Sequence, residues 1–262
     1  MPLTPFQKDI LGLLALQRHT GSHVAGGIAI NRSGASPRYS ADIDLFHDVA
    51  QSVLTSAEAD AAALVKAGYA VEWLLRQLSS QRAKVQRGSE ELKLEWCFDS
   101  AFRFFPVQVD PLFGYCLHPA DLAANKALAL AGRAEIRDFI DILYLHETYL
   151  SLGAICWAAC GKDEGFTPWS LLDFAKRHMK FRAEDLAGEH LAQPLQLPEL
   201  KDAWHKAVVQ AEELFARLPP AEIGCLYLSP SFSPLTPDPN DRAFPTVLRH
   251  FGSLRGAWPT AD

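Results

Sequence analysis

The sequence predicts an α+β chain with strands in its first half and helices in its second. Two observations carry that division. Period-two alternation of apolar and polar residues is confined to the first 110 or so positions, most clearly in Leu92-Lys93-Leu94-Glu95-Trp96-Cys97-Phe98. Beyond about residue 118 the apolar residues recur at helical spacing instead. The expected organisation is a sheet domain over 1–118, a helical domain over 119–218, and an irregular, proline-rich segment over 219–262 that packs on the body.

Phe6, Ile10, Leu13, Leu14 and Leu16 predict a helix over 5–20, closed by Thr20-Gly21. Val24–Ile30, apolar but interrupted by Gly26-Gly27, predicts a short strand; the turn formers of 31–37 send the chain back into a second strand over 41–46. Alanine-rich 57–67 reads as a helix stopped by Gly68, and strands follow at 70–78, 92–98 and, broken by Pro106, at 102–109. Pro119 sits at a first-turn position of a helix running to Gly132, and a second helix occupies 133–150. After it come helices at 169–179 and 199–218. The last segment keeps Leu226, Tyr227, Phe232, Phe244, Phe251 and Trp258 as packing residues.

With 262 residues and 48% hydrophobic composition, the chain can bury a sizeable core. No run approaches the roughly 20 apolar residues of a membrane span, and Met1-Pro2-Leu3-Thr4-Pro5 is no signal peptide, so a cytoplasmic protein without membrane contact is expected. Five cysteines argue for reduced thiols; Cys156 and Cys160, four apart, read as small buried hydrophobes, because no second pair at zinc spacing follows. A net charge of −6 excludes a protein that coats nucleic acid over its whole surface, though not one with a local basic groove.

Chemistry concentrates in two stretches. On a strand, Asp42 and Asp44 point to one face while Ile43 and Leu45 fill the other, which aims two hard oxygen ligands at one spot suited to Mg²⁺ and, through it, a triphosphate. Gly26-Gly27 would let backbone N–H groups approach a phosphate, and Glu95 supplies a third carboxylate from a neighbouring strand. Lys126 and Arg133, seven apart on a helix, share a face as phosphate-binding cations. Arg137 follows, with Asp138 and Asp141 placed to orient Lys126 or to draw a proton from an acceptor hydroxyl.

In order, Gly26-Gly27, Arg38-Tyr39-Ser40-Ala41-Asp42-Ile43-Asp44, then Lys126, Arg133 and Arg137-Asp138-Phe139-Ile140-Asp141 resemble the nucleotidyltransferase AbiEii/AbiGii toxin family of the DNA polymerase β-like superfamily. The resemblance spans roughly residues 20 to 150 and implies a mixed sheet with flanking helices followed by a helical domain. It further implies Mg²⁺- or Mn²⁺-dependent transfer of a nucleotide from a nucleoside triphosphate such as ATP to RNA, with transfer RNA as an acceptor and a cognate antitoxin as a partner. On this chain Asp42 and Asp44 would bind metal, Ser40 would contact the triphosphate, and Arg38 would orient or neutralise. Lys126 would grip phosphates, with Arg133 and Arg137 beside it, and Asp141 would be the later catalytic acidic group. The third metal carboxylate is Glu95 or Asp110, Glu95 being preferred for its regular strand.

An RNA acceptor asks for a basic approach, and two clusters offer one: Arg76, Arg82, Lys84, Arg87 and Lys93, and the run Lys176, Arg177, His178, Lys180 and Arg182. The alternatives are a catalytically silent nucleotide- or partner-binding protein, and a transferase acting on a protein or a small molecule.

Overall fold

A computed structural model describes residues 3–260 except 134 and 178; His178 of the second basic run, and Met1 and Pro2, therefore lie outside the described residues. The chain forms two compact units, one running to Ala101 and including Pro106–His118, the other made of Phe102–Phe105 and the chain from Pro119 onward.

In the first unit, α1 (Pro5–Ala15) starts where Thr4 and Gln7 each accept the other's backbone N–H, a reciprocal cap that fixes the helix entry. There follow β1 (Ser22–Ala25), α2 (Gly26–Ile30), β2 (Asp42–His47), α3 (Ala50–Lys66), β3 (Ala70–Gln77), β4 (Ser80–Arg87) and β5 (Glu90–Phe98). After β6 (Phe102–Arg103), which belongs to the other unit, β7 (Gln108–Asp110) and β8 (Gly114–Cys116) complete a seven-stranded sheet of order β3-β4-β5-β2-β1-β8-β7. The sheet is mixed: β2–β5 and β1–β8 run parallel, the remaining pairs antiparallel.

Its two faces are chemically opposite. Ile43, Leu45, Ala83, Val85, Leu94 and Trp96 are fully buried on the side against which α3 packs Val53, Ala57 and Leu64. That apolar burial, at about 25 cal/mol per Å², anchors the sheet. The alternate residues Asp42, Asp44, Arg82, Lys84, Lys93 and Glu95 form the other, polar face.

The second unit is mainly helical: α4 (Pro119–Gly132), α5 (Ile136–Thr148), α6 (Leu152–Ala159), α7 (Pro168–Arg177), α8 (Ala183–Ala187) and α9 (Leu197–Phe215). Three short strands, β9 (Leu226–Leu228), β10 (Leu248–His250) and β11 (Ser253–Leu254), follow; β10 pairs with β9 and β11 with β6.

The element expectations need four corrections. Val24–Ile30 is not one strand: β1 ends at Ala25, and Gly26, at φ +68°, turns the chain into α2, where Ile28 and Ile30 are buried. β4 escaped sequence reading because only Ala83 and Val85 are apolar on its buried side, with Gln81 as the third inward residue. The helix expected from Arg133 begins instead at Ile136, so Arg133 lies beyond the end of α4 and not on its face. The segment after Pro219 is not wholly irregular, since it contributes three strands, with Leu226 and Tyr227 buried.

Candidate active site

β2 carries Asp42 and Asp44 at alternate positions, and its neighbours frame them. Register pairs Asp44 with Glu95 of β5 and with Ala25 of β1, while Asp42 pairs with Lys93. Directly after Ala25, Gly26 packs so closely on Asp44 that any side-chain Cβ would fall inside the carboxylate. A Cβ on Gly27 would lie 2.9 Å from both the Arg38 guanidinium and the Ser40 hydroxyl. The Ser40 hydroxyl in turn donates to Asp42 at 3.2 Å. Six residues expected from the sequence, Gly26, Gly27, Arg38, Ser40, Asp42 and Asp44, thus meet at one corner of the sheet. The glycines are needed there as absences of side chain, at one position also for a left-handed φ.

Glu95 joins the same face, but its carboxylate already has two cations: Lys93 at 2.8 Å and Arg82 of β4 at 3.0 Å. Lys93 also approaches Asp42 at 3.4 Å. Burial works against the Lys93 charge, yet Glu95 and Asp42 outweigh it and hold its ammonium above the usual lysine range. Among the described residues no group of three or more His, Cys, Asp or Glu is gathered as a ready metal cage. Asp110, the other candidate, is spent on the β7–β8 turn. It pairs with Arg32 and accepts the Leu112 and Phe113 N–H groups at 2.9 and 3.0 Å. Despite partial burial, those bonds keep its carboxyl below the usual range.

The Lys-Arg-Asp motif is equally tight within its own unit. Lys126 of α4 is 6% exposed and lies 2.7 Å from Asp138 and 2.9 Å from Asp141, both wholly buried on α5. Arg133, in the turn between the helices, reaches Asp138 at 2.7 Å. Burial works against the Lys126 charge, but Asp141 and Asp138 outweigh it and raise its pKa. Asp138 is likewise opposed by burial and stabilised by Lys126 and Arg133, which hold its carboxyl below the ordinary value. Asp141, like Asp138, thus forms an ion pair with Lys126. Arg137 lies one residue before Asp138 on α5 and is half-buried.

Neither basic cluster is a bare cationic strip. Arg76 pairs with Glu58, Lys84 with Glu72, Arg87 with Asp9, and Arg82 and Lys93 with Glu95. In the second run Lys176 pairs with Asp173 and Glu212, and Arg177 stacks over Phe174. The pairing of Arg82 with Glu95 was missed from sequence because β4 was; once β4 is placed, its register sets Arg82 opposite Glu95.

Comparison with known proteins now decides the family. The family described as nucleotidyl transferase AbiEii toxin, Type IV TA system, matches residues 22–222. The chain belongs to the AbiEii nucleotidyltransferase toxin family. This member is thereby a nucleotidyltransferase, as its motif order led one to expect. Among solved structures its fold is similar to MenT4, a nucleotidyltransferase toxin of Mycobacterium tuberculosis H37Rv, with TM-score 0.58 and 16% identity over 82% of this chain and 83% of that one. JHP933 of Helicobacter pylori matches at TM-score 0.44 and 20% identity, over 79% and 90% of the respective chains. No curated protein sequence matches. The expected mixed sheet with flanking helices, followed by a helical region, is the fold observed. Among the described residues no helix is long and apolar enough to cross a membrane.

Proposed function

We propose that this family member moves a nucleotide from a nucleoside triphosphate to an RNA acceptor such as transfer RNA, with Mg²⁺, in a toxin role opposed by a cognate antitoxin. The observation that carries this reading is the side-chain-free corner at Gly26-Gly27, set directly against Asp44, Ser40 and Arg38. Such a corner admits no Cβ at Gly26 without displacing the Asp44 carboxylate, and it lets backbone and carboxylate share one small ligand.

The residues fit a hard divalent cation: Asp42 and Asp44 offer carboxylate oxygens from one strand face, with Glu95 beside Asp44. A bound Mg²⁺ would neutralise phosphate charge there. The chain's own residues do the rest. Ser40 fixes Asp42 by its hydrogen bond until a phosphate oxygen takes over its single O–H, and Arg38 offers a cation beside Gly27. Lys126 serves as a phosphate-binding cation: Asp138 and Asp141 occupy two of the three donors of its ammonium and keep it charged, leaving one for a phosphate oxygen. Arg133, half exposed and held by Asp138, and Arg137 extend that positive end. Free thiols at all five cysteines fit the reducing cytoplasm where such an acceptor is found.

The test incubates purified protein with Mg²⁺, each labelled triphosphate in turn and total transfer RNA. Label should enter RNA and vanish with Asp44→Ala. Tight triphosphate binding with no incorporation would instead make the chain a silent binding protein, and label in protein or a small molecule would refute the RNA acceptor.

A further inference from the structure

On the polar face of the sheet, two transverse rows of side chains lie next to each other. Lys84, Lys93 and Asp42 form one across β4, β5 and β2; Arg82, Glu95 and Asp44 form the next. Two lysines directly opposite each other repel. The conflict is resolved by sending them to different acids: Lys84 turns outward to Glu72 at 2.8 Å, and Lys93 turns inward, between Glu95 at 2.8 Å and Asp42 at 3.4 Å. Its side chain stays 35% exposed, and a four-carbon stem lets the ammonium change partners.

The charge count has a consequence for metal entry. Asp42, Asp44 and Glu95 bring three negative charges, and Lys93, Arg82 and the Arg38 guanidinium at the same corner bring three positive ones, so no net charge is left. A neutral cluster is a poor host for a bare divalent ion and a worse one for two. A triphosphate, carrying roughly four negative charges, reverses the balance.

We propose that Lys93 is an internal counter-ion that weakens the binding of bare divalent metal and makes metal entry depend on the triphosphate. With a triphosphate bound, the Lys93 ammonium would turn to phosphate oxygens and leave Asp42 to hold the cation. No bond is made or broken in this exchange; one ion pair replaces another. The inference rests on the reading of Asp42 and Asp44 as metal ligands, and it makes Lys93 a coupling element between cation and nucleotide.

The experiment measures Mn²⁺ binding by the loss of the free-ion paramagnetic signal. Mn²⁺ is titrated alone and with the α,β-methylene triphosphate of each of the four nucleosides, in the full chain and in Lys93→Met, Lys84→Met and Asp44→Asn. Met keeps the stem and removes the charge, and thermal melts of each variant check that the sheet is intact. In the unaltered chain, Mn²⁺ alone should bind weakly and one of the four analogues should tighten it. Lys93→Met should strengthen binding of Mn²⁺ alone by about tenfold, from the loss of one like charge a few ångströms away, and shrink the analogue's effect by a similar factor. Lys84→Met, which removes an equal charge paired elsewhere, should change neither. Nucleotide-dependent binding that requires Asp44 but is indifferent to Lys93→Met overturns the counter-ion and leaves the proposed function standing. Absence of Asp44-dependent Mn²⁺ binding with every analogue overturns both.

Discussion

The carboxylate cluster on the sheet and the one between α4 and α5 use the same residue types under opposite conditions. On the sheet, Arg82 is 41% exposed and Lys93 35% beside Asp42 and Glu95, so water shares the solvation of both cations. Between the helices, Lys126 is held by two aspartates that water does not reach. In the first place ion pairs are worth little and partners can be exchanged; in the second, removing one member strands a charge in a low dielectric. Exchangeable charge suits ligand binding, and locked charge suits holding one cation in one orientation.

Five variants and one titration can break that contrast. The largest effect is expected from Asp44→Ala: transfer should fall about a thousandfold or more, some 4 kcal/mol of transition-state stabilisation, while the urea midpoint stays close to that of the parent. A large loss of stability instead would place Asp44 with the locked charges. Asp138→Ala leaves Lys126 and Arg133 without their shared acid and should cost about 3–5 kcal/mol in urea unfolding; a cost under 1 kcal/mol would mean the helix cluster is as exchangeable as the sheet's.

A second locked group lies on the apolar side of the sheet. There Arg18 donates to both Asp60 oxygens at 2.6 Å and to Ser22, which in turn meets His47 at 3.1 Å. Burial first, then the nearby Arg18, lowers the His47 pKa from 6.5 to about 4. The unfolded chain thus binds a proton that the folded one refuses. Stability due to His47 is complete above pH 6.5 and drains as pH falls toward 4, by about 3 kcal/mol. Unfolding followed across that range should show the loss, and His47→Gln should flatten it.

Gly26→Ala should cost about 1–2 kcal/mol for its left-handed backbone and, by pushing Asp44 aside, most of the transfer activity as well; a fully active variant would refute the close approach. Smallest of all, Arg76→Ala breaks an exposed pair with Glu58 and should shift stability by under about 1 kcal/mol.

The sequence was most informative where one physical signal acted alone. Alternation around Lys93-Leu94-Glu95-Trp96 located β5, and the Asp42, Asp44 spacing located a strand with one charged face. It was least informative where pairing supplied what composition lacked. β4 is polar at most positions and is held by ladders on both sides, so its own residues show little. Gly26-Gly27 read as a flaw in a strand because a short apolar run looks alike in strand and helix, and the positive φ that starts α2 leaves no trace except the glycine. Arg133 was displaced by the break between α4 and α5, yet still reached Asp138, because a long side chain tolerates an error of one turn. Burial of Asp138 and Asp141 could not be read at all, since charged residues are assigned to surfaces by default.

Phe102–Phe105 lie early in the chain but belong with its later part. The Phe104 and Phe105 N–H groups donate to Asp121, the Phe104 carbonyl accepts from Ala257, the His250 and Trp258 rings pack at a tilt against the Phe105 ring, and β11 pairs with β6. During vectorial synthesis these two phenylalanines leave the ribosome some 150 residues before their last partners. A truncation that removed 248–260 would therefore uncover aromatic surface in the middle of the chain, and nascent protein should stay prone to capture by chaperones until that distant stretch arrives.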